Sequence, residues 1–133
     1  MTALRPRHRR AGIHTQTGSI SIAAPPETVW ELITTLDTIP EWYDTWDTAQ
    51  PDTPEPDTTG SRLQVGTAFR LLRHHRGRDT AAHCVVTELT APTRLRWRQS
   101  APHTPTTSVT FLLIPGADGG GTELRHTRRW TDS

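Results

Sequence analysis

The stretch Ile20-Ser21-Ile22-Ala23-Ala24-Pro25-Pro26-Glu27-Thr28-Val29-Trp30-Glu31-Leu32-Ile33, continued by Ile39-Pro40-Glu41-Trp42, decides how the chain folds. It reads as a short alternating strand, a proline stop, an amphipathic helix and a second short helix ending in tryptophan. Val29, Leu32, Ile33 and Leu36 recur at i, i+3, i+4 and i+7, one face of an α-helix. Pro26 suits the first helical turn, where its missing N–H would have no partner. Glu27 complements the positive end of the helix dipole.

Around this stretch the pattern is β. The first strand is expected over 15–23 and the helices run to about residue 43. A second strand is expected at about 44–49. From Gly66 onward the period shortens to two, with strands expected at about 66–75, 80–89, 94–100, 106–114 and 122–130. The turns between them are Gly77-Arg78-Asp79, Ala91-Pro92-Thr93, Ala101-Pro102-His103 and Gly116-Ala117-Asp118-Gly119-Gly120. Phe69 with Leu71, Leu95 with Trp97, Val109 with Phe111 and Leu113, and Leu124 with His126 fall on one face of their strands. Arg94, Arg96 and Arg98 fall on the other. The fold class is therefore α+β: an antiparallel sheet of six or seven strands with two short helices inserted after the first.

Four segments together resemble a known family. Ala24-Pro25-Pro26-Glu27-Thr28-Val29-Trp30 with Pro40-Glu41-Trp42 is similar to the opening of the START-related helix-grip superfamily (SRPBCC). The nearest match is its polyketide cyclase/dehydrase and lipid-transport branch. Val65-Gly66-Thr67-Ala68-Phe69, Val86 to Leu95, and Gly119-Gly120-Gly121-Thr122-Glu123-Leu124 resemble that family's later motifs in the same order. The resemblance covers roughly residues 20–130. It implies a sheet curved around a ligand cavity, and it also exposes a departure. The family closes the cavity with a long carboxy-terminal helix, whereas this sequence stops at Trp130-Thr131-Asp132-Ser133. A homodimer, or a partner covering the open sheet face, is the expectation that follows.

Composition narrows the classes. A chain of 133 residues suits one domain, read as a mobile tail over 1–12 followed by a single ligand-binding domain over 13–133. Net charge is +1, which argues against a dedicated nucleic-acid protein; the fifteen basic residues are all arginine. The run Arg5-Pro6-Arg7-His8-Arg9-Arg10 lacks interleaved aromatics and reads as a solvated tail. No apolar run is long enough to span a membrane and no signal-peptide pattern is present, so a cytoplasmic location is expected. The segment Gln50 to Gly60 holds prolines, acids and no large apolar residue, a surface loop with a lid as the alternative.

The resemblance places Trp42, Trp46, Phe69, Trp97, Phe111 and Leu124 at the cavity as ligand-binding candidates, while Trp30 reads as core. His126 and Arg128 share the inward face and are the catalytic candidates: the histidine to move a proton, the arginine to polarise a carbonyl or hold a carboxylate. Glu88 reads as a turn brace and Cys84 as a small packing residue. Metal is not expected. His74 and His75 are adjacent in a strand and point to opposite faces, so they cannot chelate together with His83. The glycine run 116–122 lacks a phosphate-loop ending and reads as a hairpin, and no cofactor is expected.

The implied function is binding of a small hydrophobic molecule, aromatic, polyketide-like or lipid-like, with cyclisation or dehydration of it as the possible chemistry. A non-enzymatic carrier or sensor is the alternative. A protein-interaction module like the superfamily's chaperone ATPase activator branch is a third reading.

Overall fold

The computed structural model describes residues 12–43, 45–52, 61–117 and 120–131. Strand β1 (Ile13–Ile22) leads through Pro25 into helix α1 (Pro26–Ile33), a 3₁₀ turn (Leu36–Thr38) and helix α2 (Ile39–Trp42). Strands β2 (Thr48–Pro51), β3 (Ala68–His75), β4 (Arg78–Thr90), β5 (Arg94–Ser100), β6 (Thr107–Pro115) and β7 (Thr122–Thr131) follow.

Helix α1 starts on Pro26 with Glu27 in its first turn, as the sequence reading requires. It stops at Ile33 because threonines take over its last carbonyls. Thr34 Oγ1 donates to the Trp30 carbonyl at 2.6 Å, Thr35 Oγ1 to that of Glu31 at 2.7 Å, and Thr38 Oγ1 to that of Leu32 at 2.7 Å. Its buried face is Val29, Trp30 and Ile33, with Leu32 only half-buried; Leu36 reaches the core from the 3₁₀ turn. Trp30 is therefore core, as expected.

All seven strands form one antiparallel sheet in the order β1-β7-β6-β5-β4-β3-β2. The fold is helix-grip, as the sequence implied, and among the described residues no helix follows β7. The later strands lie within a residue or two of their expected positions. The second differs: it begins at Thr48 rather than near residue 44. Before β2 the Trp46 N–H donates to the Tyr43 carbonyl and the Asp47 N–H to that of Leu72. Pairing with β3 begins only after these bonds.

The β3–β4 connection also moves, to the two residues Arg76 and Gly77, with φ of 55° and 74°. Two left-handed residues in a two-residue loop match the right-handed twist of the flanking strands. A register shift between Val86 and Glu88 bulges β4, which adds bend to that strand. The bulge sets Glu88 outward, 3.8 Å from Arg94 and 3.7 Å from Arg96.

The core fills the concave side of the sheet beneath α1 and α2. Phe69, Leu71, Cys84, Val86, Leu95, Trp97, Val109, Phe111, Leu113 and Leu124 face it, joined by Val29, Ile33, Leu36 and Ile39 from the helical segment. No described helix is long and apolar enough to cross a membrane. The tail 1–11, most of the acidic proline loop (53–60) and the tip of the glycine hairpin (118–119) lie outside the described residues. Gln50 and Pro51, expected in that loop, belong to β2.

Candidate functional site

Helix α2 and the turn after it lie across the concave face, and this places aromatic rings over the inward residues of β6 and β7. Phe111 of β6 is opposite His126 of β7 in the ladder. Their rings stack with centroids 5.0 Å apart and planes 13° from parallel. Trp42 meets the Phe111 ring edge-on at 4.9 Å, and Tyr43 meets His126 at 5.2 Å. These are offset and edge-to-face arrangements that the ring quadrupole favours.

Between this ring cluster and β1 lies a cavity of about 270 Å³, lined by Gly18, Ser19, Ile20, Trp42, Tyr43, Phe111, Leu124 and His126. A second cavity of about 350 Å³ lies along the same inner face toward the other end of β7, with Trp46, Arg73, Gln99, Thr107, Arg128 and Trp130 among its walls. The concave surface thus has a mainly apolar, ring-lined end and a polar, cationic one.

The expected site residues divide accordingly. Trp42, Phe111, Leu124 and His126 line the first cavity; Trp46 and Arg128 line the second. Phe69 and Trp97 line neither: both are 0 % exposed. Trp97 packs behind the site, its centroid 4.9 Å from Phe111 and 5.1 Å from Phe69. Its indole N–H donates to Gln99 Oε1 at 3.0 Å, so its polar atom is used inside the core.

The sequence reading missed Tyr43, Gly18, Ser19 and Ile20 at the first cavity and Arg73, Gln99, Thr107 and Trp130 at the second. For Arg73, Gln99 and Trp130 the signal was present. Period two carried from Phe69 and Leu71 reaches Arg73, from Trp97 reaches Gln99, and from His126 and Arg128 reaches Trp130.

Electrostatics separate the two catalytic candidates. Burial, reinforced by the nearby Arg128 charge, lowers the His126 imidazole to about 4. His126 is therefore neutral at ordinary pH. Burial pushes the Tyr43 hydroxyl above its usual range, against the opposing pull of Arg128. Trp42 Nε1, His126 Nε2 and Arg128 Nε are buried and have no hydrogen-bond partner among the described residues, and the same holds for Arg70 Nε and Arg94 Nε outside the two cavities, whereas the Trp46 side chain hydrogen-bonds that of Tyr43. Buried polar atoms are rarely left this way, and three of these five border the two cavities.

Other candidates lie apart from this face. His74 pairs with Asp79 at 2.6 Å and His83 lies 3.6 Å from Asp52. Among the described residues no three His, Cys, Asp or Glu gather as a metal cage. Cys84 is buried in the core, and its thiol is pushed upward by burial and, less, by Asp52.

Solved structures share this architecture at low identity. A START superfamily protein from Mycobacterium smegmatis is 15% identical, with a TM-score of 0.66 over 90% of this chain and 79% of that one. The Zhui aromatase/cyclase from Streptomyces sp. R1128 is 17% identical, with a TM-score of 0.70 over 92% of this chain and 70% of that one. DynU16, from the dynemicin biosynthetic locus, is 20% identical at a TM-score of 0.62, and the match covers 87% of this chain but only 37% of DynU16. No curated protein matches the sequence. The family model for "Polyketide cyclase / dehydrase and lipid transport" matches residues 14–132, and the chain therefore belongs to that family.

Proposed function

We propose that the chain binds a small, ring-bearing apolar molecule in the cavity between α2 and strands β1, β6 and β7. The observation that carries this reading is the Phe111–His126 stack with Trp42 and Tyr43 set against it, which forms a wall suited to a planar ligand. Ile20 and Leu124 complete the apolar lining. The unpartnered Nε2 of His126 and Nε1 of Trp42 supply the few polar contacts that orient a ligand in such a pocket.

The chemistry that fits this lining is cyclisation or dehydration of a poly-carbonyl chain. Aromatic walls fold the chain so that reacting carbons meet at near-attack distance, and the neutral His126 exchanges a hydrogen bond with a carbonyl or enol oxygen. Family membership and the likeness to an aromatase/cyclase support this class. A second reading, a carrier without turnover, is favoured by one observation. An imidazole held near 4 is far from the pKa that suits a proton shuttle at neutral pH.

Tryptophan-fluorescence titration with naphthyl ketones tests binding, and product analysis with an aryl polyketone tests turnover. Saturable quenching that is lost in Phe111→Ala is expected. Linear, non-saturating quenching by every ring-bearing probe would remove the proposal. Saturable binding without product would select the carrier.

A further inference from the structure

We infer that the second cavity is an anion subsite, and that the ligand is an amphipathic carboxylate whose apolar rings occupy the first cavity and whose acid group is held between Arg73 and Arg128. The inference rests on the proposed ring-binding role of the first cavity and adds the ligand's other end.

Arg73 lies on β3 and Arg128 on β7, with β4, β5 and β6 between them. On a flat sheet four strand spacings would set them about 19 Å apart. Both instead line one cavity of about 350 Å³, so the curl of the sheet brings them to a common space. Gln99 and Thr107 add hydrogen-bonding groups on its floor, and among the described residues no Asp or Glu lines it. Two arginines that line one space without a carboxylate in its wall repel each other, and an anion between them reverses that term; Arg73, at the exposed rim, also borders a neighbouring pocket with Asp47 and Asp79.

Arg128 is the more telling of the two. Its Nε is buried and has no hydrogen-bond partner among the described residues. Its other neighbour in the cavity is the Trp130 ring, whose centroid lies 5.8 Å from Cζ. A cation–π contact of this kind offsets little of the cost of a buried Nε–H left without an acceptor. The planar fork of arginine matches a carboxylate in two parallel hydrogen bonds. That the Arg128 charge reaches His126 and Tyr43 is consistent with a cation whose field is not cancelled nearby.

The spacing sets the ligand's shape. His126 and Arg128 are two residues apart on one face of β7, which separates their Cα atoms by about 7 Å. A ring system against His126 therefore needs a spacer of two to four carbons to bring its acid to Arg128.

The probe pair is naphthylbutanoic acid and its methyl ester, titrated against the full chain by tryptophan fluorescence at low and high salt. The acid is expected to bind at least tenfold more tightly than the ester at low salt. Arg128→Gln should reduce the acid to within twofold of the ester while leaving ester affinity unchanged. Arg73→Gln, at the exposed rim, gives a second reading with less risk to folding and should cost the acid several-fold. Arg98→Gln, on the outer face, serves as a charge control and should change neither. If acid and ester bind equally and both inner variants bind the acid normally, the anion subsite is wrong while ring binding stands. If neither probe saturates, ring binding fails as well and takes this inference with it.

Discussion

Gly18 of β1 stands directly across the β1–β7 ladder from His126, and both line the ring-bearing cavity. The strand opposite the imidazole therefore offers bare backbone where any other residue would project a side chain. A Cβ built at Gly18 meets no atom within 4 Å, and its φ is not in the left-handed region. The absence of a side chain here keeps space open without relieving backbone strain.

Gly18→Leu should fill the cavity and leave the fold intact. Removing an interior-strand glycine gains roughly 0.5–1 kcal/mol of backbone entropy, so the urea midpoint should hold or rise. Affinity for a naphthyl ketone should fall at least tenfold in fluorescence titration. Unchanged affinity would place the ligand elsewhere.

Trp97 should behave as core and not as ligand wall. Trp97→Ala opens a large void and is expected to cost about 3–5 kcal/mol in urea unfolding. Trp97→Phe keeps part of the volume but takes the indole donor from Gln99 Oε1, leaving only the long contact from Cys84 Sγ at 3.8 Å. A buried acceptor stripped in this way costs roughly 1–3 kcal/mol. Trp97→Phe should still bind naphthyl ketone within a few-fold of the parent at temperatures where it is folded.

His126 links stability to pH. Its folded-state pKa of about 4 lies below the ordinary histidine value of 6.5. The unfolded chain therefore takes up the proton first as pH falls, and the folded state loses stability between about 6.5 and 4. Above 6.5 this contribution is fully present. Urea midpoints measured from pH 7.5 to 4 should decline across that window, and His126→Phe, which keeps a ring against Phe111, should flatten the decline. Parallel profiles for the two proteins would show that His126 does not carry it.

Cys84 should be inert in the native protein. It is buried and its thiol is held in the protonated form. Labelling by a soluble disulfide reagent at pH 8 should be at least a hundredfold slower in buffer than in concentrated urea. Comparable rates would mean that the β3–β5 region opens readily.

Much of the architecture was legible because its determinants are local. The proline stop and Glu27 mark the start of α1, and alternation marks β3 to β7 within a residue or two. The misplacement of β2 has a tertiary cause: the chain before it is held by the bond from the Asp47 N–H to Leu72 of a strand some 25 positions away. No pattern within residues 43–48 announces that contact. Helix α1 likewise ends earlier than its apolar periodicity suggests, since Thr34, Thr35 and Thr38 intercept its carbonyls. Threonine at those positions was a signal that periodicity alone ignores.

The site was only half legible. Alternation states which side of a strand a residue faces, and so Phe111, Leu124 and His126 were put on the inner face, while Trp42 on α2 came from the family resemblance. Alternation does not state which inward residues border a cavity. Phe69 and Trp97 have the same parity as Phe111 and are as deeply buried, yet they line neither of the two cavities. What the chain determined by itself was its elements, their order and the face each side chain takes, since these follow from neighbours a few bonds away. The sharing of one cavity by Arg73 and Arg128, and the choice of which rings border a cavity, came only from the curl of the whole sheet, which adds small twists over strands far apart in sequence.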